Sequence, residues 1–223
     1  MTIAEHLESF LRQGIHRIGE IEIQSRPSGD FILSHQDDLN QVAAAGYGNL
    51  EIHHGPEAAR DISTYAEDGT YRFTKGQVNL RKGWVMILSS IQDLRLALDQ
   101  VYPASVGLWI ASEQGTLNVQ NLRTKLERQT GMYRSARFIS TEGAQELVKT
   151  ICGPAHQCAK RILWQLDVET QLEDSEASRF DGIASGLPET EAIPLLCQEA
   201  CNHFVSECRK MSKAEHDIKR AAQ

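Results

Sequence analysis

Ile3, Leu7, Phe10, Leu11, Ile15 and Ile18 recur at three- and four-residue intervals. That spacing aligns them on one side of a helix and predicts an amphipathic helix over residues 3–18. The period then changes. Glu20-Ile-Glu-Ile-Gln-Ser25 alternates with period two, which predicts a strand with its isoleucines on one face. Arg26-Pro-Ser-Gly-Asp30 has the residues of a turn, so Phe31-Ile-Leu-Ser34 is the returning strand of a hairpin. Asp37 and Asp38 are placed to cap a short helix through Ala45. Residues 50–53 read as a third strand, and Pro56 suits the first turn of a helix reaching Thr64. Trp84-Val-Met-Ile-Leu88 is a continuous apolar run and reads as a buried strand. Ser90 caps a helix whose apolar face is Ile91, Leu94, Leu98 and Val101, with Pro103 beyond its end.

The second half is less periodic. Helices are expected over 122–128 and from Thr141 along Leu147, Val148 and Ile151, with a short strand at 137–139. Cys152-Gly-Pro-Ala-His-Gln-Cys158 reads as a tight loop entering a helix through Trp164. Between Glu173 and Glu199 there are seven acids and one base, Arg179, without a period. That stretch reads as a solvated loop. Pro194 ends it, and Cys197 is expected to open a final helix to about Lys219. The fold class is therefore α+β: a small mixed α/β domain at 1–80, then a mainly helical domain at 81–223.

Composition narrows the classes. The 223 residues suit one large domain or two small ones. With 23 basic and 30 acidic residues the net charge is −7, which argues against a nucleic-acid partner, since phosphates must be neutralised by Lys and Arg. No 18-residue apolar run exists, so no membrane span is expected. The first residues lack the basic start and apolar block of a signal peptide. A cytoplasmic protein with reduced thiols is expected.

Five cysteines are the unusual feature. An odd number in a reducing compartment does not suggest a disulfide framework. Cys197 and Cys201, four apart, would share one face of a helix. Cys152 and Cys158 flank a Gly-Pro loop that can turn two thiolates inward. The two pairs, C-x5-C and C-x3-C with 38 residues between them, make a four-thiolate site feasible. They match neither the close pairs of zinc knuckles nor ferredoxin spacing. Spacing alone leaves metal ligands, a reactive thiol and plain buried cysteines open. Cys208 would stand about 10 Å further along the helix from Cys201 and reads as a small core residue.

Several stretches carry a resemblance. Asn79-Leu-Arg-Lys-Gly-Trp84, Arg128-Gln-Thr-Gly-Met-Tyr-Arg134 and Leu195-Leu-Cys-Gln-Glu-Ala-Cys-Asn202 resemble an iron–sulfur module with its stabilising domain, of the kind fused to small sirohydrochlorin cobaltochelatases. Ala59-Arg-Asp-Ile, Asp68-Gly-Thr-Tyr-Arg72 and the Cys152–Cys158 loop with Lys160-Arg-Ile-Leu-Trp164 extend the match over about residues 16–205. The resemblance implies a [4Fe–4S] cluster on Cys152, Cys158, Cys197 and Cys201; zinc is the alternative metal that the spacing leaves open. The chelatase domain and its metal-inserting histidines have no counterpart here. His53-His54-Gly55 has the look of a chelatase element but lies in the wrong region. The resemblance thus implies an accessory or electron-transfer protein of tetrapyrrole (cobalamin or sirohaem) synthesis. Its expected partner is a sirohydrochlorin chelatase or another tetrapyrrole enzyme. The alternative is a non-redox interaction module whose metal only stabilises the fold. A cluster-dependent enzyme ranks third, because four thiolates leave no open iron.

Other residues have roles to test. Arg123, Arg128, Arg134 and Arg137, with Lys125, cluster against the single acid Glu127. Guanidinium forks suit carboxylates, so the cluster suits a carboxylate-rich tetrapyrrole or an acidic partner. The competing reading is a solvated face paired with the acidic loop. His156 and Trp164 are candidates for the surroundings of the cluster, Trp164 by shielding it from water.

Overall fold

The helix that the spacing extends to Ile18 stops at Arg12. In the computed structural model, which describes residues 1–43, 45–72, 76, 80–117, 120–152, 158–167 and 192–221, α1 is Ile3–Arg12. Thr2 and Glu5 form a capping box at its start. At its end Gly14 adopts a φ of +93°. The N–H of Ile15 then donates to the Phe10 carbonyl and that of Gly14 to Leu11, the bonds that close a helix on a left-handed glycine. Ile15 and Ile18 are still buried, now from outside the helix.

The chain divides into two compact units, one of Met1–Leu117 with residues 183–195, the other of residues 118–182 with Leu196–Gln223. The boundary expected at residue 80 is thus displaced to 117. The reason is the apolar run Trp84–Leu88, which forms a central strand of the first unit and keeps the two following helices with it.

In the first unit, β1 (Arg17–Ile18), β2 (Ile21–Ser25), β3 (Phe31–His35), β4 (Glu51–His54) and β5 (Trp84–Leu88) join a late strand, Ala192–Ile193. They form a mixed sheet ordered β4-β5-β3-β2-β1 with the late strand beyond β1. The hairpin is as expected, with Ile23 opposite Leu33. Its partner β5 is antiparallel to β3 and parallel to β4. Ile32 and Val85 pack with Val42 and Leu50 into one cluster. The short helix is capped differently from expectation. The Asp37 N–H donates to Nδ1 of His35, 3.1 Å away, while Asp38 accepts from the Gly83 N–H at 2.7 Å. A 3-10 turn at Gln36–Asp38 therefore precedes α2 (Leu39–Val42).

Helices α3 (Ala59–Thr64), α4 (Ile91–Val101) and α5 (Ser105–Glu113) complete the unit. Ser90 caps α4 as expected. Helix α5 is not foreshadowed by periodicity: its apolar residues are spread around the axis, and it is held by Trp109 standing edge-on to Phe10 with ring centroids 4.2 Å apart. Gly19, with φ +56°, turns the chain where a Cβ would lie 2.9 Å from Tyr102 and 3.0 Å from Leu195, so no larger residue fits.

The second unit is mainly helical. Short strands β6 (Gln120–Asn121), β7 (Arg161–Ile162) and β8 (Trp164–Gln165) are followed by β9, the late strand of the first unit, and by β10 (Leu196–Cys197). β6 pairs with β8, and β7 with β10, both parallel. Three helices lie around them: α6 (Leu122–Glu127), α7 (Thr141–Leu147) and α8 (Asn202–Ala221). A 3-10 helix at Gly131–Phe138 takes the place of the strand expected at 137–139. The helix expected through Trp164 is replaced by β7 and β8. The last helix starts at Asn202, not Cys197, because the Cys197 backbone is engaged by β7: its carbonyl accepts from the Leu163 N–H at 2.8 Å. These elements share one core, including Leu126, Val148, Ile162, Trp164, Phe204 and Cys208. The overall class is α+β.

Candidate metal centre

Three features of local structure position Cys152, Cys197 and Cys201. Helix α7 widens into a π turn at Val148–Cys152, which ends with Cys152 buried in the core. The β7–β10 pairing sets Cys197 opposite Ile162, four residues beyond Cys158. Cys201 precedes the first residue of α8 and acts as its cap. Its carbonyl accepts from the Val205 N–H at 2.9 Å, and its Sγ accepts from the Phe204 N–H at 3.4 Å. Cys197 and Cys201 therefore approach from a strand and a helix start, not from one helical face.

Cys158, Cys197 and Cys201 are half-buried and all are free thiols. Burial pushes the Cys158 thiol up to about 11, and the neighbouring Cys197 and Cys201 push it the same way. The Lys160 backbone N–H and its side-chain charge oppose them. Burial likewise raises Cys197, against the Lys160 charge, the Glu199 backbone and the Trp164 indole N–H. The neutral thiol is thus favoured at both Cys158 and Cys197 unless a cation neutralises the thiolates. Among the described residues, no three His, Cys, Asp or Glu side chains gather closely enough to hold a metal ion. The donor set suits a polynuclear iron–sulfur cluster, whose own width holds its thiolates apart and whose iron takes them deprotonated. Backbone N–H groups near sulfur, from Lys160 and Phe204, are the donors such a cluster uses.

Cys208 stands apart. It is fully buried in α8, burial pushes its thiol up to about 12, and it packs as the small core residue its helical position implied. His156 and the acidic stretch 173–191 lie outside the described residues, so the expectations placed on them have no structural counterpart here. Trp164 is 4% exposed and lies in the core beside the cysteines, ring edge-on to Phe204. His53 and His54 belong to β4 of the first unit, half-buried and exposed, with His53 Nε2 3.5 Å from Glu51.

The arginines separate into two kinds. Arg123 is half-buried and donates through Nη1 to the carbonyls of Ile139 (2.9 Å) and Arg137 (3.2 Å), closing the end of the 3-10 helix. Arg128, Arg134 and Arg137 are exposed, with Arg137 lying over the Phe138 ring at 4.5 Å. Lys125 pairs with Glu199 at 3.0 Å. Sequence reasoning gave no role to Lys160, Glu199 or Phe204. All three act through backbone groups, which side-chain identity does not reveal; only the charge of Lys160 beside Cys158 was a usable signal.

Two family models match the chain. Residues 3–113 match the DR2241 stabilising domain, and residues 114–210 match a 4Fe-4S iron–sulfur cluster binding domain. All five cysteines fall in the second. Among solved structures, the chain is similar to DR2241 from Deinococcus radiodurans, described as a multi-domain protein with structural similarity to chelatases and two additional novel domains. The two are 24% identical with a TM-score of 0.71, over 95% of this chain and 42% of that one. No curated protein matches this chain. Among the described residues, no helix is long and apolar enough to cross a membrane.

Proposed function

This chain belongs to the family that joins a DR2241 stabilising domain to a 4Fe-4S iron–sulfur cluster binding domain, and from that premise we propose that it is an electron-transfer accessory protein of tetrapyrrole synthesis. Cys152, Cys158, Cys197 and Cys201 hold its [4Fe–4S] cluster. The observation that supports this ligand set is the packing of Cys201 against the core cluster that contains Cys152, next to the β7–β10 pair that carries Cys197 and follows Cys158. Bound there, the cluster supplies one-electron chemistry. The chain's own residues do the rest. The apolar side chains of Trp164 and Phe204 exclude water, Lys160 offsets negative charge on sulfur, and backbone N–H groups orient the thiolates.

The partner in this reading is a sirohydrochlorin chelatase or a related tetrapyrrole enzyme. Its support is the chelatase-like architecture described for the Deinococcus protein, of which the matched region is less than half. Exposed Arg128, Arg134 and Arg137 form the surface offered to a carboxylate-rich tetrapyrrole or to an acidic partner.

One observation favours a second reading, in which the cluster is a staple. The strands that carry Cys197 and flank Cys158 are two residues long, too short to hold their own register. One experiment separates these readings. Protein purified without oxygen is expected to be brown, with about four irons and four sulfides per chain and a reversible one-electron reduction seen by EPR. A bound cluster that takes up no electron supports the staple. Stoichiometric zinc without iron overturns both the cluster and its redox role.

A further inference from the structure

The Trp164 side chain is almost fully buried, yet among the described residues its Nε1 has no acceptor in hydrogen-bond geometry. An indole can only donate, and buried N–H groups are rarely left without a partner. The ring is not free to turn elsewhere. β8 holds it in register with Gln120, and Phe204 stands against it at 5.6 Å and 62°.

The sulfur nearest in the fold is that of Cys197: β7 sets Ile162 opposite Cys197, and Leu163, the residue before Trp164, donates its N–H to the Cys197 carbonyl at 2.8 Å, while the indole favours the Cys197 thiolate electrostatically. As a thiol, Cys197 spends its proton on the Glu199 carbonyl at 3.0 Å. A cysteine that ligates iron loses that proton. Its sulfur then only accepts, so the bond to the Glu199 carbonyl lapses and the sulfur requires donors. The orphaned indole N–H is a donor already inside the core.

We infer that Trp164 donates its indole N–H to the Cys197 thiolate when the cluster is bound, and so tunes the cluster's reduction potential. The inference rests on the ligand set given under Proposed function and names a residue that acts through one of those ligands. Trp164 is thus a positioning residue. A hydrogen bond to a ligand sulfur withdraws charge and favours the reduced cluster.

Trp164→Phe keeps the ring's bulk and removes the N–H. The expected result is unchanged iron and sulfide content with a lower midpoint potential, by the ~59 mV that corresponds to a tenfold change in a one-electron equilibrium. The Fe–S(Cys) stretching bands in resonance Raman should shift as well. A loaded Trp164→Phe protein with wild-type potential and wild-type bands overturns the role of Trp164 and leaves the cluster reading intact. A wild-type protein without iron overturns the cluster reading, and the inference with it. Should the variant not fold, ultraviolet resonance Raman of the wild type decides. Of the three indoles, Trp84, Trp109 and Trp164, one should exchange its N–H for deuterium more slowly after cluster loading. Identical exchange with and without the cluster overturns the inference.

Discussion

At the scale of single residues, Cys208 shows how burial distinguishes chemically identical side chains. It is fully enclosed among apolar neighbours, where a thiol behaves as a small hydrophobe. Cys208→Ala is expected to keep the full iron content and to cost about 1 kcal/mol, the usual cost of a small deletion in a packed core, read from a urea melt. Burial raises this thiol from 9.0 to about 12, with Cys201 adding to the rise and Arg123 opposing it. The folded iron-free protein therefore holds the proton at pH values where the unfolded chain has released it. Stability is fully present below about pH 9 and falls as the pH rises towards 12. Cys158, raised to about 11, adds to the lower part of that window. Cys208→Ala should make the alkaline arm shallower without abolishing it, as measured by urea midpoints across the window. An unchanged arm would assign the loss to other groups. The sequence set Cys208 aside by its helical distance. That argument used a helix start misplaced by five residues, and burial separates Cys208 from Cys201 as well as position does.

At the scale of elements, the second unit is held at points that periodicity does not report. Ser140 caps α7 by accepting from the Gly143 N–H at 2.9 Å. It also donates its hydroxyl to Glu215 of α8 at 2.6 Å, and its backbone N–H to the same carboxylate at 3.0 Å. Gly143 lets the two helices approach, since a Cβ there would meet Met211 at 2.9 Å. Ser140→Ala should cost about 1–2 kcal/mol, a lost cap together with a lost side-chain bond. Glu215→Gln should cost less, because an amide still accepts. The double variant should cost less than the sum, since the two residues share one network. Additive losses in denaturant melts would show that the contact contributes nothing. The helix expected between Cys158 and Trp164 fails for a related reason. Ile162, Leu163 and Trp164 are compatible with either period over so short a run. What decides is pairing: β7 with Leu196–Cys197, and β8 with Gln120–Asn121. Both partners lie far along the chain.

At the scale of the whole molecule, two compact units, each with a buried cluster of its own, should unfold as two transitions. Iron removal should lower the transition of the second unit and leave the first where it was. A ligand present at a hundred times its Kd adds ~2.7 kcal/mol, and each kcal/mol moves a domain of this size by about 4–8 °C. The expected drop in Tm is therefore about 10 °C or more, visible by calorimetry on loaded and chelator-treated protein. A single transition moving as one body, or no movement at all, would contradict this arrangement. The first unit's sheet also explains the displaced boundary. Its sheet is completed on one side by Trp84–Leu88 and on the other by Ala192–Ile193, so no cut near residue 80 could leave it whole.

The sequence by itself determined the α+β class, the first hairpin, the buried strand at 84–88, the Ser90 cap and the five-cysteine set from which the cluster ligands are drawn. These follow from local periods, turn residues and side-chain chemistry, which a short window of sequence contains. Tertiary structure alone decided where the units divide, which side of Gly14 ends the first helix's stripe, and how Cys197 approaches Cys201. It also decided that Arg123 closes a helix end while Arg128, Arg134 and Arg137 stay on the surface. Each of these depends on which distant backbone group supplies a hydrogen-bond partner or which distant side chain excludes water. Neither property belongs to a residue until the chain has folded around it.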